Sequence, residues 1–420
     1  MIPELRSSFN AKFTDAFYHE LMARLELRCG RPIAFRVSET PIFVPVAMLD
    51  AMAEQGAELA HFLISNREYL AAARSAIPVG YNVANENARP HFLTADFALV
   101  RTPSGELTPR LVEIQAFPSV FAYQAELCAA YQETFKLPKS LDTFLGGLDE
   151  SSYWDMLRRT ILGEHKPENV VLTEIDPTHQ KTFPDFHLTS QRLSIPVVDI
   201  ASLHPVDNKL HYRNSAGKLI PVHRIYNRAI ADELIARKIQ LPFDLSHSWD
   251  VEWAGHPNWY FLISKFSIPW LSRTGSFPVV PPAAFLDDFL AGPGRDFLSA
   301  AGVPLPGSHE STTVYKELLL KPLFSFAGRG IEFEPSRARL EEIPVEERSG
   351  YLVQQRMRFE PTIQTPFGLT QAEIRILYMW PDNGDLTPTL SLVRLGRGRM
   401  MGVDHNKDQK WVGGSAAFYI

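Results

Sequence analysis

Glu113 and Gln115 stand two apart in the mainly apolar run RLVEIQAF. On a strand, that spacing sends both side chains to one face. A carboxylate beside an amide oxygen is a pair of hard donors of the kind magnesium accepts. Asp96, in TADFALV, can add a second carboxylate if the two runs pair as a hairpin. The same residues equally suit a half-exposed strand with its polar side toward water. Far downstream, LLLKPLFSFAGRGIEF ends an apolar strand in Lys321-Pro322 and enters a loop holding Gly328 and Gly330. Lysine is a mobile point charge suited to phosphate oxygens, and small residues let backbone N–H groups approach a phosphate closely. Taken alone, the stretch is either a phosphate-covering loop or an ordinary glycine hairpin. It lacks G-x-x-x-x-G-K-[ST], which excludes a P-loop by that motif.

Other polar residues punctuate apolar runs. FLISKFSIPWL places Lys265 in a predicted helix, where a solvated lysine is the plain alternative. YLVQQRM ends a strand in Gln354 and Gln355, and AEIRILYM sets Glu373 and Arg375 on one strand face, as a salt-bridged pair would be. RIYNR carries Arg224 and Arg228. LGRGRMMG has the wrong spacing for a dinucleotide fingerprint. Near the C-terminus, GGSAAF offers either backbone N–H groups to a cleft or a simple terminal turn.

These residues need elements to position them. Helical spacing predicts a helix over FNAKFTDAFYHELMARLELRCG ending at Gly30, a second over PVAMLDAMAEQGAELAHFL, and a third over NREYLAAARSAI capped by Asn66. FLTADFALVRT and LTPRLVEIQAF flank PSGE and read as a hairpin, followed by the helix SVFAYQAELCAAYQETF. From about residue 150 the order becomes helix, strand (ENVVLTEI), helix, strand (IPVVDI), which predicts a small α/β unit with parallel strands over 151–258. KLHYRNSAGKLIPVHRIYNR then reads as a hairpin returning to that sheet. Residues 259–420 open with the Lys265 helix and a proline-rich connector, and continue as at least five strands. The resulting domain expectation is 1–150, 151–258 and 259–420.

The composition, 45% hydrophobic and 21% charged, is that of a globular protein, and a net charge of −6 argues against a nucleic-acid partner. Cys29 and Cys128 make neither a disulfide framework nor a zinc site. No apolar run reaches the ~20 residues of a membrane span, and the charged N-terminus does not read as a secretory leader. The expectation is therefore a cytoplasmic protein without a membrane partner, with a homodimer left open.

In order and spacing the elements resemble the ATP-grasp superfamily. The ordered features are a helix lysine, a strand closed by Lys-Pro, a G-x-G loop, a strand ending in Gln, and E-x-R on a strand. The acidic metal strand normally follows the adenine hinge, yet here its match lies upstream, in TADFALVRTPSGELTPRLVEIQAFPS. That displacement resembles circularly permuted members, which include glutathionylspermidine synthase-like proteins and eukaryotic-type glutathione synthetases. The resemblance implies an α/β (α+β) ATP-grasp fold with a central Rossmann-like pre-ATP-grasp domain. It implies ATP and Mg2+ as cofactors. Lys265, Lys321, Ser325, Ala327, Gly328 and Gly330 would lie around the phosphates, and Gln354 and Gln355 at the adenine hinge. Asp96, Glu113 and Gln115 would be metal ligands, with Gln115 in place of the usual Asn. Arg375 and one of Arg224, Arg228 or Arg394 would bind the leaving phosphate or the substrate carboxylate. The implied activity is carboxylate–amine ligation through an acylphosphate, with small-molecule acid and amine substrates and no amidase domain. A nucleotide-binding non-enzymatic or degenerate protein and a small-molecule kinase are the alternatives.

Overall fold

The structure is a computed structural model that describes residues 1–420 apart from 308, 309, 326, 327, 403–405 and 407. The N-terminal helical run is broken where one helix was expected. Pro3–Lys12 ends at Phe13, which takes an extended backbone, and Asp15–Cys29 begins two residues later and stops at Gly30 in the left-handed region. Val46–Ser65 and Arg67–Ser75 follow, with the Asn66 side chain accepting from the Tyr69 N–H as the N-cap. Such a cap satisfies a backbone donor that the helix itself leaves unpaired.

Phe92–Arg101 and Leu107–Gln115 form the expected hairpin, turning through Gly105 at φ 86°. Its sheet partners come from the far end of the chain. Among the described residues the large sheet runs Ile42–Val44, Gly413–Tyr419, Thr387–Gly396, Gly368–Met379, Phe92–Arg101, Leu107–Gln115, and Ile363–Thr365 pairs beside Gly368–Met379. GGSAAF is therefore neither a terminal turn nor a free row of donors. Its backbone belongs to a sheet strand between two neighbours. One face of this sheet packs Ala95, Phe97, Ile114, Ile374 and Ile376 beneath Val46–Ser65. Lower on the other face, Phe92, Leu377 and Leu390 meet the buried helix Phe121–Thr134.

The middle of the chain is an α/β unit whose parallel strands run Glu252–Ala254, Arg224–Asn227, Val170–Glu174, Val197–Asp199. The hairpin Lys209–Arg213/Leu219–Val222 does not return to that sheet. With His204–Val206 it makes a separate three-stranded sheet, and the chain bends at His223 before Arg224–Asn227 enters the parallel one. Leu210, Tyr212 and Val222 need an apolar partner, and they find it against Val171 and Ile225 on one face of the parallel strands.

A smaller antiparallel sheet, Ala283–Phe285, Tyr351–Gln355, Leu318–Pro322, Glu332–Phe333, carries the glycine loop between its last two strands. Among the described residues no helix is long and apolar enough to cross a membrane.

Candidate active site

Lys265 was expected within a helix, and it stands in a break between two. Asn258–Leu262 ends at Ile263, whose backbone is extended, and Ser267–Thr274 begins after Phe266. The break is held from outside, because the Ile263 carbonyl accepts from the N–H of Ala116, at the exit of the hairpin strand. That tie brings Lys265 beside Glu113, Nζ to Oε2 at 3.3 Å, and Nζ donates to the Ser325 carbonyl at 2.6 Å.

Lys321 arrives from the small sheet. The pairing of the hairpin shifts register after Asp96↔Glu113, so the next partners are Phe97 and Leu111, and Val112 is left without a cross-strand residue. Its carbonyl accepts from Lys321 Nζ at 3.5 Å. Burial lowers the Lys321 ammonium to about 8 despite the nearby Glu113 carboxylate, with Lys265 adding to the lowering. Residues 113 and 321 thus meet at one place, as do 265 and 325.

On the same face of the large sheet lies a buried ion cluster. Arg375 donates through Nε and Nη2 to both oxygens of Asp96, at 2.5 and 2.7 Å. Arg394 donates to Asp96 Oδ2 at 3.0 Å and also to Glu373. Cross-strand register explains the set, since Arg375 pairs with Asp96 and Glu373 with Arg394. Burial works against charge on Asp96, but Arg375 and Arg394 outweigh it and hold this carboxyl below its ordinary range. For Glu373 burial wins, and its carboxyl is raised. Arg375 also reaches Glu113 at 3.7 Å and donates to the Ser119 hydroxyl at 3.3 Å.

A metal ion tests this donor set. Both oxygens of Asp96 already accept from arginines, so the ligand role expected of it would compete with Arg375 and Arg394. No group of three His, Cys, Asp or Glu able to hold a metal occurs among the described residues. Glu113 and Gln115 do share a face, with Gln115 Nε2 donating to Glu113 Oε1 at 2.9 Å. Magnesium commonly takes only one or two protein carboxylates and completes its shell with phosphate oxygens and water. Glu113 with Gln115 fits that smaller set.

Gln354 is the most conspicuous polar residue here. It is 0% exposed, and neither its amide nitrogen nor its oxygen has a hydrogen-bond partner among the described residues. Leaving a buried amide unmatched costs roughly 1–3 kcal/mol, so such a group calls for an explanation. By register, Gln354 lies opposite Leu319, and Lys321 opposite Leu352, so these four share one face of the small sheet. The Ser325 hydroxyl, in the loop after Lys321, is likewise buried without a partner among the described residues. Gln355 falls on the opposite face, and its N–H serves the Pro282 carbonyl.

The glycines of the loop are structural requirements. Gly328 and Gly330 both sit at φ 73°. A Cβ at Gly330 would meet Pro322 Cγ at 2.7 Å, and one at Gly328 would meet Met400. Ala327 lies outside the described residues.

Of the other arginines, Arg228 reaches this region and Arg224 does not. Arg228 follows the carboxyl end of its parallel strand, donates to Asp185 at 2.5 Å, and donates to the Ser119 carbonyl at 2.9 Å. Arg375 and Arg228 therefore grip Ser119 from two sides. Arg224, four residues earlier, points its donors into Glu252, Asp382, His91 and the carbonyls of Thr160 and Ile161. Four strand residues span ~13 Å, which puts it at the other end of the unit. Sequence reasoning gave Arg394 too little weight, although one arginine within TPTLSLVRLG was the available signal. It passed over Ser119, although that residue closes the quoted run TADFALVRTPSGELTPRLVEIQAFPS.

Cavities of 490 Å3 around Trp154 and 460 Å3 around Arg36 are lined by none of these residues. The lysine site is instead a closed seam between the large sheet and the small four-stranded antiparallel one, with Lys265 and Lys321 only 4% and 3% exposed.

A parallel α/β unit beside separate, largely antiparallel sheets makes a mixed α+β fold. A glutathione synthetase-like effector from Globodera pallida, solved in its apo form, shares this fold with a TM-score of 0.52. The match covers 97% of this chain and 98% of that chain at 11% sequence identity. No protein-family profile and no curated protein matches the sequence.

Proposed function

We propose that this chain is an ATP- and magnesium-dependent carboxylate–amine ligase of circularly permuted ATP-grasp arrangement. The observation that carries the reading is the meeting of Lys265, Lys321, Glu113 and Arg375 in one seam beside the unpartnered amide of Gln354. The permuted order is supported by the hairpin before the α/β unit sharing a sheet with strands that follow it. The boundaries 1–150, 151–258 and 259–420 belong to this proposal.

In the reaction, a substrate carboxylate attacks the γ-phosphate of ATP to give an acylphosphate, and an amine then displaces phosphate from the acyl carbon. Lys265 and Lys321 neutralise the transferring phosphoryl group. Glu113 and Gln115 would hold magnesium, which when bound spreads the phosphate charge. Gln354, on the same face as Lys321, offers an amide donor and acceptor to the base edge. Arg375, with Arg228 behind Ser119, orients the substrate carboxylate. The loop carrying Gly328 and Gly330 covers the seam, and water is excluded because an acylphosphate would otherwise hydrolyse.

Calorimetry with ATP tests the site. Wild type is expected to bind ATP more tightly with magnesium, and Lys321→Ala to weaken binding by at least ~10-fold, about 1.4 kcal/mol. Binding indifferent to magnesium and to Glu113→Ala would instead favour a nucleotide-binding protein without ligase chemistry. The commitment of Asp96 to two arginines is the observation on that side. Product assays separate the chemistries: ADP release requiring both an acid and an amine supports ligation, and release with one acceptor alone indicates a kinase.

A further inference from the structure

Three carboxyl groups near the lysines are already matched with cations. Asp96 serves Arg375 and Arg394, Glu373 serves Arg394, and Glu113 faces Lys265. Asp232, at the start of the short helix Ala231–Ala236, is different. It accepts from the Tyr260 hydroxyl at 2.7 Å and has no ion-pair partner among the described residues. It nevertheless belongs to the same region, because Lys265 acts on its carboxyl electrostatically and Glu113 acts on the Tyr260 phenol. Tyr260 packs edge-on against Phe117, with ring centroids 5.8 Å apart.

Phe117 connects this pair to the rest of the site. Glu113, Gln115, Phe117 and Ser119 are all partly exposed, whereas Ile114, Ala116 and Pro118 between them are buried. The strand ends at Gln115 and the chain bends at Phe117, so these partly exposed residues lead from the lysines to the arginine-held Ser119. At the Ser119 end stand the guanidinium groups of Arg375 and Arg228. Along the flank, at Phe117, stands the hydroxyl-bonded carboxylate of Asp232. Guanidinium groups at one end, each also holding a buried carboxylate, and a carboxyl group outside any ion pair at the flank suit two substrates of opposite charge, laid side by side next to the lysines.

We propose that Asp232, oriented by Tyr260, is the binding carboxylate for the primary amine substrate. The assignment rests on the ligase reading for its role in catalysis, but not for the binding itself. An alkylammonium group donates to Asp232 and is thereby held beside the acyl carbon. One of its protons passes to the Asp232 carboxylate, which frees the nitrogen lone pair. The nitrogen–carbon bond forms, and the bond from the acyl carbon to the phosphoryl oxygen breaks. The electron pair leaves with phosphate, which takes the second proton shed by nitrogen.

The test uses the full chain labelled with 3-fluorotyrosine, the Tyr260 resonance being assigned by its loss in Tyr260→Phe. Ethylammonium chloride is titrated against tetramethylammonium chloride at equal ionic strength, since the latter cation has no N–H to donate. The expected result is a saturable shift of the Tyr260 resonance with ethylammonium alone, lost in Asp232→Asn and in Asp232→Ser and retained in Asp232→Glu. The other tyrosine resonances report whether each variant is folded, and the two neutral variants guard against either one misfolding. No saturable shift in wild type, an equal shift with tetramethylammonium, or an undiminished shift in the folded neutral variants would overturn the assignment. If ATP fails to bind while ethylammonium does, the ligase reading falls and the amine site stands. If ATP binds and ethylammonium does not, the reverse holds.

Discussion

Lys321 shows how burial sets both the cost and the use of a charge. In the seam its ammonium is desolvated, which brings its pKa down to about 8 from an ordinary value near 10.5. A phosphate favours the charged form, so nucleotide binding should draw a proton back onto Lys321 once the free protein has lost it. The sign follows from linkage: affinity is flat below pH 8 and falls above it, by up to ~10-fold per unit. Calorimetry of ATP from pH 7 to 9.5 measures this, and Lys321→Arg, which stays charged, is expected to flatten the curve. The same desolvation explains why Asp96 is held by two arginines. A carboxylate this deep keeps its charge only when cations repay the lost hydration, and that requirement competes with the metal-ligand role expected of it.

Among the elements, the loop between Leu318–Pro322 and Glu332–Phe333 depends on backbone freedom at two positions. Gly330 has φ 73° and its α-carbon lies against the Pro322 ring. A side chain there incurs both the left-handed penalty of about 1–2 kcal/mol and a contact that the proline ring cannot relieve easily. Gly330→Ala is expected to loosen the turn while leaving global unfolding nearly unchanged, since the loop adds little to the core. ATP affinity should fall ~10-fold with a shift of only a few degrees in Tm; calorimetry and thermal melting read the two. The helix break at Ile263 makes a related point. The apolar period of FLISKFSIPWL suits one continuous helix, but a hydrogen bond from Ala116, almost 150 residues earlier, takes the Ile263 carbonyl and turns Lys265 toward Glu113.

For the whole molecule, two arginines four residues apart join the α/β unit to the large sheet in different ways. Arg228 reaches the candidate site through Ser119, and Arg224 ties Glu252 to Asp382, in the turn after the strand Gly368–Met379. Arg224 is nearly fully buried against Gly163, whose missing side chain leaves room for the guanidinium. Arg224→Met should therefore lower stability by roughly 2–3 kcal/mol in urea denaturation, from the lost charged hydrogen bonds, and leave ATP affinity unchanged. Weakened ATP binding in that variant, at full stability, would return Arg224 to the substrate site.

Local pattern in the sequence was enough for the hairpin around Gly105, the Asn66 cap, the Gly30 stop, the parallel strands VVLTE and VVD, and the lysine before a glycine loop. Each is written within a few residues, through period, turn chemistry or a missing Cβ. The pairing of Glu113 with Gln115 on one face follows from the same two-residue period. What the tertiary structure alone decided are matters of distance between remote segments. Which strand lies beside which fixed Arg375 on Asp96 and Arg394 on Glu373. A one-residue register shift at Val112 opened a carbonyl to Lys321, and a borrowed hydrogen bond broke the Lys265 helix. Desolvation, which depends on everything packed around a group, then determined which of these charges are matched within the protein, with the Gln354 amide unpartnered and the Asp232 carboxyl outside any ion pair among the described residues.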